Sequence, residues 1–452
     1  MSQSVVGDWY GTLDAMGTSV PLILHISETE GVLAGTMDSP QQGGYGIVMD
    51  EVKLTDNQFF FSISQAGIKY TGTLSKLGLS GDFNQAGFDF ELEFTRELPA
   101  ANGQQRRDQE PNVFPYRRIE VSFPGGADDV TMAGELTLPP AGKSIKQAVI
   151  LISGSGGQDR NSELGEAINH RPFLVLSDFL TREGIAVLRY DDRGIGASTG
   201  HFNSATTADF AQDAAAALSF LATHSELKNA QLGLVGHSEG GLVAPMVAAE
   251  REDVDFVVLL AAPGIPSDTL MLMQSRLIQE TMGAPAALIE RNLKPIRQAY
   301  AYIKGHPELD ETELENGLVE IFRASIKDLP QPLQDAIQDE EAFARQQVGT
   351  LSNIWFRYFL SFDPEPYLKQ LEVPMLALNG ELDTQVPAQI NLDAIAQHVG
   401  SSGNPDMTLV PMPRLNHLFQ SAETGSPSEY GNIEETFNPA AMRIIASWIL
   451  ER

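Results

Sequence analysis

The chain has 452 residues, 42% hydrophobic and 8% aromatic, which suits two or three domains with ample cores. Sixty acidic residues against thirty basic ones give a formal charge of −30, so nucleic acid and anionic membrane surfaces, which would be repelled, are excluded as expected partners. The absence of cysteine excludes disulfides, thiol catalysis and Cys-zinc sites.

No run approaches the ~18 apolar residues of a membrane span. A signal peptide is not expected either, because the first strand-like run, Val5-Val6-Gly7-Asp8-Trp9, starts almost at the terminus. The compartment stays open: cytoplasmic as the sequence stands, periplasmic or secreted if a leader has been removed.

Residues 1–98 carry a period-two pattern broken by turns. In Phe88-Asp89-Phe90-Glu91-Leu92-Glu93-Phe94, four apolar side chains fall on one face and three carboxylates on the other, as a half-buried strand requires. Short Gly-centred pieces at Gly35, Gly72 and Gly81 fit a hairpin meander, so a small all-β barrel or sandwich is predicted here. Residues 99–111 are polar and unpatterned and read as a linker. About a dozen residues suffice for the β unit to fold back, and docking on the cap or on a second copy of the chain, as a homodimer, is the expectation.

From residue 112 strand-like and helical runs alternate, which predicts an α/β unit with a mostly parallel sheet and helices on both faces, over 112–264 and 373–452. The run Gln147-Ala148-Val149-Ile150-Leu151-Ile152 leads into Ser153-Gly154-Ser155-Gly156-Gly157-Gln158-Asp159-Arg160. That Gly-rich loop is not a phosphate loop, since no GxxxxGK[ST] follows and the dinucleotide spacing is lacking. A strand at Ile185–Tyr190 ends in Asp191-Asp192-Arg193-Gly194-Ile195-Gly196, and a helix is predicted from Thr207 through Leu221.

The most telling stretch is Leu232-Gly233-Leu234-Val235-Gly236-His237-Ser238-Glu239-Gly240-Gly241, with an apolar helical run after it. This is Gly-x-Ser-x-Gly in a strand–turn–helix setting, where a serine on a sharp turn is pushed out of the sheet. Gly236 and Gly240 are required because a Cβ at either would collide with neighbouring backbone. Ser238 is thus a candidate nucleophile. Another strand is predicted at 256–260, after which residues 265–372 turn helical and read as a cap, with Met and aromatic residues such as Trp355 and Phe356 forming its core or lining a pocket.

A nucleophilic serine needs an orienting acid and a base. Asp383 follows the strand-like Pro374-Met375-Leu376-Ala377-Leu378, and His417 follows Met407-Thr408-Leu409-Val410-Pro411-Met412. Glu381 and Asp393 are the rival acids. Of eight histidines, His417 has the required late, post-strand setting, whereas His237 is too close to the serine to turn onto it. The oxyanion would be met by the amide of Glu239 and by that of Ser155, with Gly156 as the alternative.

The elbow, the Asp192-Arg193-Gly194-x-Gly196 turn, Gly380-Glu381-Leu382-Asp383 and Asn416-His417 resemble the α/β-hydrolase superfamily over residues 112–452. More narrowly, Gly154-Ser155-Gly156-Gly157-Gln158-Asp159-Arg160, His237-Ser238-Glu239-Gly240-Gly241 and Leu415-Asn416-His417-Leu418-Phe419-Gln420 resemble bacterial serine-aminopeptidase-like hydrolases that behave as carboxylesterases, some with an extra β-rich N-terminal domain. The chain departs from that pattern at Ser153, where many relatives have histidine. The resemblance implies the α/β-hydrolase fold with a helical cap, no cofactor or metal, and a small-molecule ester as substrate. Two other readings are a serine peptidase, with Glu429, Glu434 and Glu435 holding a substrate amine, and a non-catalytic protein whose β unit binds a glycan or partner.

Overall fold

The computed structural model describes residues 4–15, 18–29, 31–39, 44–63, 67–85, 88–96, 109–142, 144–165, 168, 170–337 and 339–452. The expected linker at 99–111 lies outside these residues except for 109–111. The chain divides into two compact units, one of residues 1–102 and 294–353, the other of residues 103–293 and 354–452.

The first unit holds a nine-stranded antiparallel sheet of β1 (Gly7–Ala15), β2 (Thr18–Thr29), β3 (Val32–Ser39), β4 (Gly44–Val48), β5 (Glu51–Thr55), β6 (Gln58–Ile63), β7 (Ile68–Leu74), β8 (Leu79–Gln85) and β9 (Phe88–Thr95). Their order is β4-β3-β2-β1-β9-β8-β7-β6-β5, and β3 also approaches β5, so one continuous sheet curls towards a barrel instead of splitting into a sandwich. The alternation in β9 is realised: Leu92 and Phe94 are buried while Asp89, Glu91 and Glu93 face out. Phe59, Phe61, Tyr70 and Phe83 join them in the core, where the Tyr70 hydroxyl donates to the Leu92 carbonyl at 3.2 Å and so enters the interior without an orphaned polar group.

The second unit is built on an eight-stranded sheet of β10 (Arg117–Pro124), β11 (Thr131–Leu138), β12 (Gln147–Ile152), β13 (Ala186–Tyr190), β14 (Gln231–His237), β15 (Phe256–Leu260), β16 (Met375–Gly380) and β17 (Met407–Met412). The order is β10-β11-β13-β12-β14-β15-β16-β17, antiparallel at the first two steps and parallel from β13 onward. The central strands are buried on both faces, as their continuous Val/Ile/Leu runs require. Helices α1 (Pro172–Glu183), α2 (Thr207–Thr223) and α3 (Gly240–Glu250) follow β12, β13 and β14. Helix α1 has proline in its first turn and ends at Gly184 in the left-handed region (φ 104°), and α2 opens with a Thr206–Asp209 capping box.

The region predicted as a cap contains α4 (Ser267–Thr281), α5 (Ala286–Gly305), α6 (Glu311–Ser325), α7 (Gln331–Ala336), α8 (Glu340–Val348), α9 (Ile354–Leu360) and α10 (Glu365–Leu368). Helices α11 (Ala388–Ser401) and α12 (Pro439–Leu450) complete the second unit. Residues of α2, α3 and α11 form one core against the sheet; residues of α1 and α12 form the other. Both faces are thereby covered, and this is the α/β-hydrolase fold. Among the described residues, no helix is long and apolar enough to cross a membrane.

Candidate active site

The parallel strands deliver their loops to one edge of the sheet, where ligands bind in open α/β folds. Ser238 follows β14 with φ +54°, a left-handed backbone conformation that a non-glycine residue adopts only when its surroundings impose it. Those surroundings are tight. A Cβ at Gly236 would lie 2.0 Å from the Gly240 carbonyl oxygen, and one at Gly240 would lie 2.3 Å from that of Ile152. The amide of Ser238 donates to the Leu260 carbonyl at 2.9 Å, which ties the turn to β15.

Asp383 sits past the end of β16, and His417 past β17. Their side chains meet, with Nδ1 of His417 2.8 Å from Oδ2 of Asp383, and both are sealed, at 5% and 0% exposure. The other oxygen of Asp383 accepts the amides of Gln385 and Val386, each at 2.8 Å, so the carboxylate is oriented by its own loop. Glu381 is exposed two residues away, and Asp393 is exposed on α11, where it accepts from Gln389. Of the three acids considered, Asp383 is the one bonded to His417.

His237 has a part that its sequence position did not suggest. Its Nε2 donates to the backbone carbonyl of His417 at 2.9 Å, and the two rings lie 4.8 Å apart. Burial, with the neighbouring His417 ring second, depresses its pKa to about 3, so it stays a neutral strut between the elbow and the loop of the expected base.

The loop after β12 passes directly against the elbow: a Cβ at Gly154 would stand 3.0 Å from that of Ser238. Among the described residues, the amides of Ser155, Gly156 and Glu239 donate to no protein acceptor. These are the three amides proposed from sequence for an oxyanion. The side chain of Glu239 is buried at the head of α3, where Oε1 accepts the Thr207 hydroxyl at 2.6 Å and the Trp355 indole N–H at 2.9 Å. Burial raises its pKa, and the donors Thr207, Trp355 and Ser155 oppose that rise. Trp355, expected in the cap core or a pocket lining, is thus bonded to the residue after the serine, a contact that arises only in the tertiary structure. Beyond it, Leu242 and Met246 of α3 pack with Phe359 and Phe362 in a buried apolar cluster.

Two of the carboxylates considered for an amine site are engaged locally. Glu429 accepts from Thr424 and Gly425, and Glu435 from Ser421 and Asn438.

Residues 171–309 match the family model Hydrolase_4, described as serine aminopeptidase, S33. No curated protein matches the chain. Among solved structures, the chain is similar to an esterase of Pyrococcus furiosus at 14% identity, covering 77% of this chain and 94% of that one with a TM-score of 0.43. It is also similar to the proline iminopeptidase of Mycobacterium smegmatis at 15% identity, over 74% and 98% with a TM-score of 0.44. Est1E of Butyrivibrio proteoclasticus shares 14% identity over 74% and 98%, with a TM-score of 0.41.

Proposed function

We propose that this α/β hydrolase is a serine carboxylesterase, cleaving small neutral esters through an acyl-enzyme. The observation that carries the reading is the sealed Asp383–His417 pair, joined by His237 to the strained turn that bears Ser238. Neutral His417 takes the hydroxyl proton of Ser238 as the oxygen attacks the ester carbonyl. Asp383 fixes the Nδ1–H tautomer and stabilises the imidazolium. The amides of Glu239 and of Ser155 or Gly156 receive the oxyanion, the alcohol leaves with the proton from His417, and water then repeats the sequence to release the acid. The chemistry uses only the chain's own residues. Short acyl groups are the preferred substrates in this reading, because helical chain, beginning with α4, follows directly on the site-bearing end of β15.

A serine peptidase is the second reading, favoured by the description of the matched family model. The local engagement of Glu429 and Glu435 leaves them fewer free oxygens for a substrate amine. The deciding experiment compares p-nitrophenyl acetate and butyrate with aminoacyl p-nitroanilides on the wild-type chain and on Ser238→Ala. Esterase activity that disappears in the variant is expected; faster cleavage of the anilides would replace this reading by the second.

A further inference from the structure

The loop that offers the Ser155 and Gly156 amides is exposed at its tip and belongs to no helix or strand. Residues 155–157 are exposed, and Gly156 has φ +92° with open space around the position of a Cβ. The middle of the loop is held by the Ser155 side chain, which donates to Glu239, and by the Gln158 side-chain amide, which donates to the Ser155 carbonyl at 3.2 Å; its two ends are held by one side chain, Asp192. Ser153 Oγ donates to Oδ1 of Asp192 at 2.8 Å, the Gln158 amide donates to Oδ2 at 2.9 Å, and the Asp192 amide donates back to the Gln158 carbonyl at 3.0 Å. Both ends of the stretch that carries the free amides are thus tied to the end of β13.

The preceding residue serves a different segment. Asp191 accepts the Arg160 amide at 2.8 Å, its Nη2 at 2.8 Å and the Ala197 amide at 3.0 Å. Successive acids at the strand end therefore divide the work, Asp191 holding the chain beyond the loop and Asp192 the loop itself.

A carboxylate is a costly group to place here. Asp192 is 8% exposed, and burial, opposed by its two loop donors, drives its pKa to about 7. Facing it are Tyr190 at the end of β13, Glu239 at the head of α3, and Asp213 on α2, the last paired with Arg193 at 2.7 Å. Mere packing would be served better by an apolar side chain; two bonds to a loop flanking the nucleophile are served by a carboxylate.

We propose that Asp192 is a positioning residue, bonded to both ends of residues 153–158 so that the Ser155 and Gly156 amides stand where the oxyanion forms beside Ser238. The inference rests on the serine-esterase reading above. It predicts a defect in transition-state stabilisation with ground-state binding spared.

The test uses the full chain, with p-nitrophenyl acetate as substrate and an alkyl trifluoromethyl ketone as the tetrahedral-adduct probe. Asp192→Ala is expected to lower kcat about 10²- to 10³-fold, the loss typical of an oxyanion donor, with KM within about threefold. Affinity for the ketone should weaken by a similar factor. Asp192→Asn, which keeps one acceptor oxygen, should recover at least about tenfold of the loss. Ser153→Ala removes a single tether and serves if Asp192→Ala fails to fold; its kcat should fall roughly 3- to 30-fold with the melting temperature little changed. Wild-type kcat and ketone affinity in Asp192→Ala, or in folded Ser153→Ala, would overturn the proposal while an inactive Ser238→Ala left the esterase reading standing. A fully active Ser238→Ala would overturn both.

Discussion

Nε2 of His237 and the backbone carbonyl of His417 lie 2.9 Å apart although 180 residues separate them in the chain. The residue before the expected nucleophile therefore supports the loop that carries the expected base. Without that strut the imidazole of His417 is free to shift relative to Ser238, and displacement of about 1 Å at a reacting pair costs on the order of 10²-fold. His237→Ala is expected to lower kcat by roughly 10- to 100-fold. His237→Gln, with an amide donor of comparable reach, should lose less. Steady-state kinetics on an ester decide the matter, and equal losses in the two variants would speak against the strut.

Ser238→Ala and His417→Ala should each lower kcat about 10⁴-fold or more and leave the fold intact, because nucleophile and base act as a unit. Asp383→Asn should approach that loss. Glu381→Gln, altering an exposed side chain, should stay within about twofold of wild type. Near-normal activity in Asp383→Asn beside an inactive Glu381→Gln would reverse the assignment of the acid.

Stability should carry a pH signature from Asp192. Its pKa is about 7 in the folded chain, against the ordinary 3.8. Between these values the folded chain retains a proton that the unfolded chain has lost, so raising the pH through this window removes stability. Asp192→Asn lacks that group. Urea unfolding at pH 5 and pH 8 should show the variant gaining roughly 1 kcal/mol or more on wild type at the higher pH, each unit of pKa difference corresponding to about 1.4 kcal/mol. A stability difference independent of pH would mean that Asp192 is already ionised at pH 5.

The elbow glycines should tolerate no side chain. Gly236→Ala sets a methyl 2.0 Å from the Gly240 carbonyl oxygen, so β14 and α3 must separate. Destabilisation of roughly 1–3 kcal/mol or more is expected, with loss of activity beyond what the unfolded fraction explains. Differential scanning calorimetry beside an esterase assay checks both. Gly431→Ala, where a Cβ meets nothing within 4 Å, is the matched control and should be near neutral.

The chain's alternating and apolar runs determined the antiparallel N-terminal strands, the α/β texture after residue 112 and the turn at Ser238, because strand pleat, helical period and steric exclusion at glycine act over a few neighbouring residues. Gly236 and Gly240 could be read as obligatory from the pattern alone, and the contacts around them are backbone contacts of the turn itself and of the adjacent strand end. The choice of Asp383 over Glu381 was different. Both follow the same strand, and the chain's loop geometry decides which carboxylate turns inward to His417, 34 residues on. The same holds for Asp192, which reads as part of a glycine-rich turn but grips a loop whose ends lie 34 and 39 residues earlier, and for Trp355, whose indole reaches Glu239 across 116 residues. Hydrogen bonds of that kind depend on where packed strands and helices place each side chain, to within a few tenths of an ångström, and only the assembled sheet and its covering helices set that.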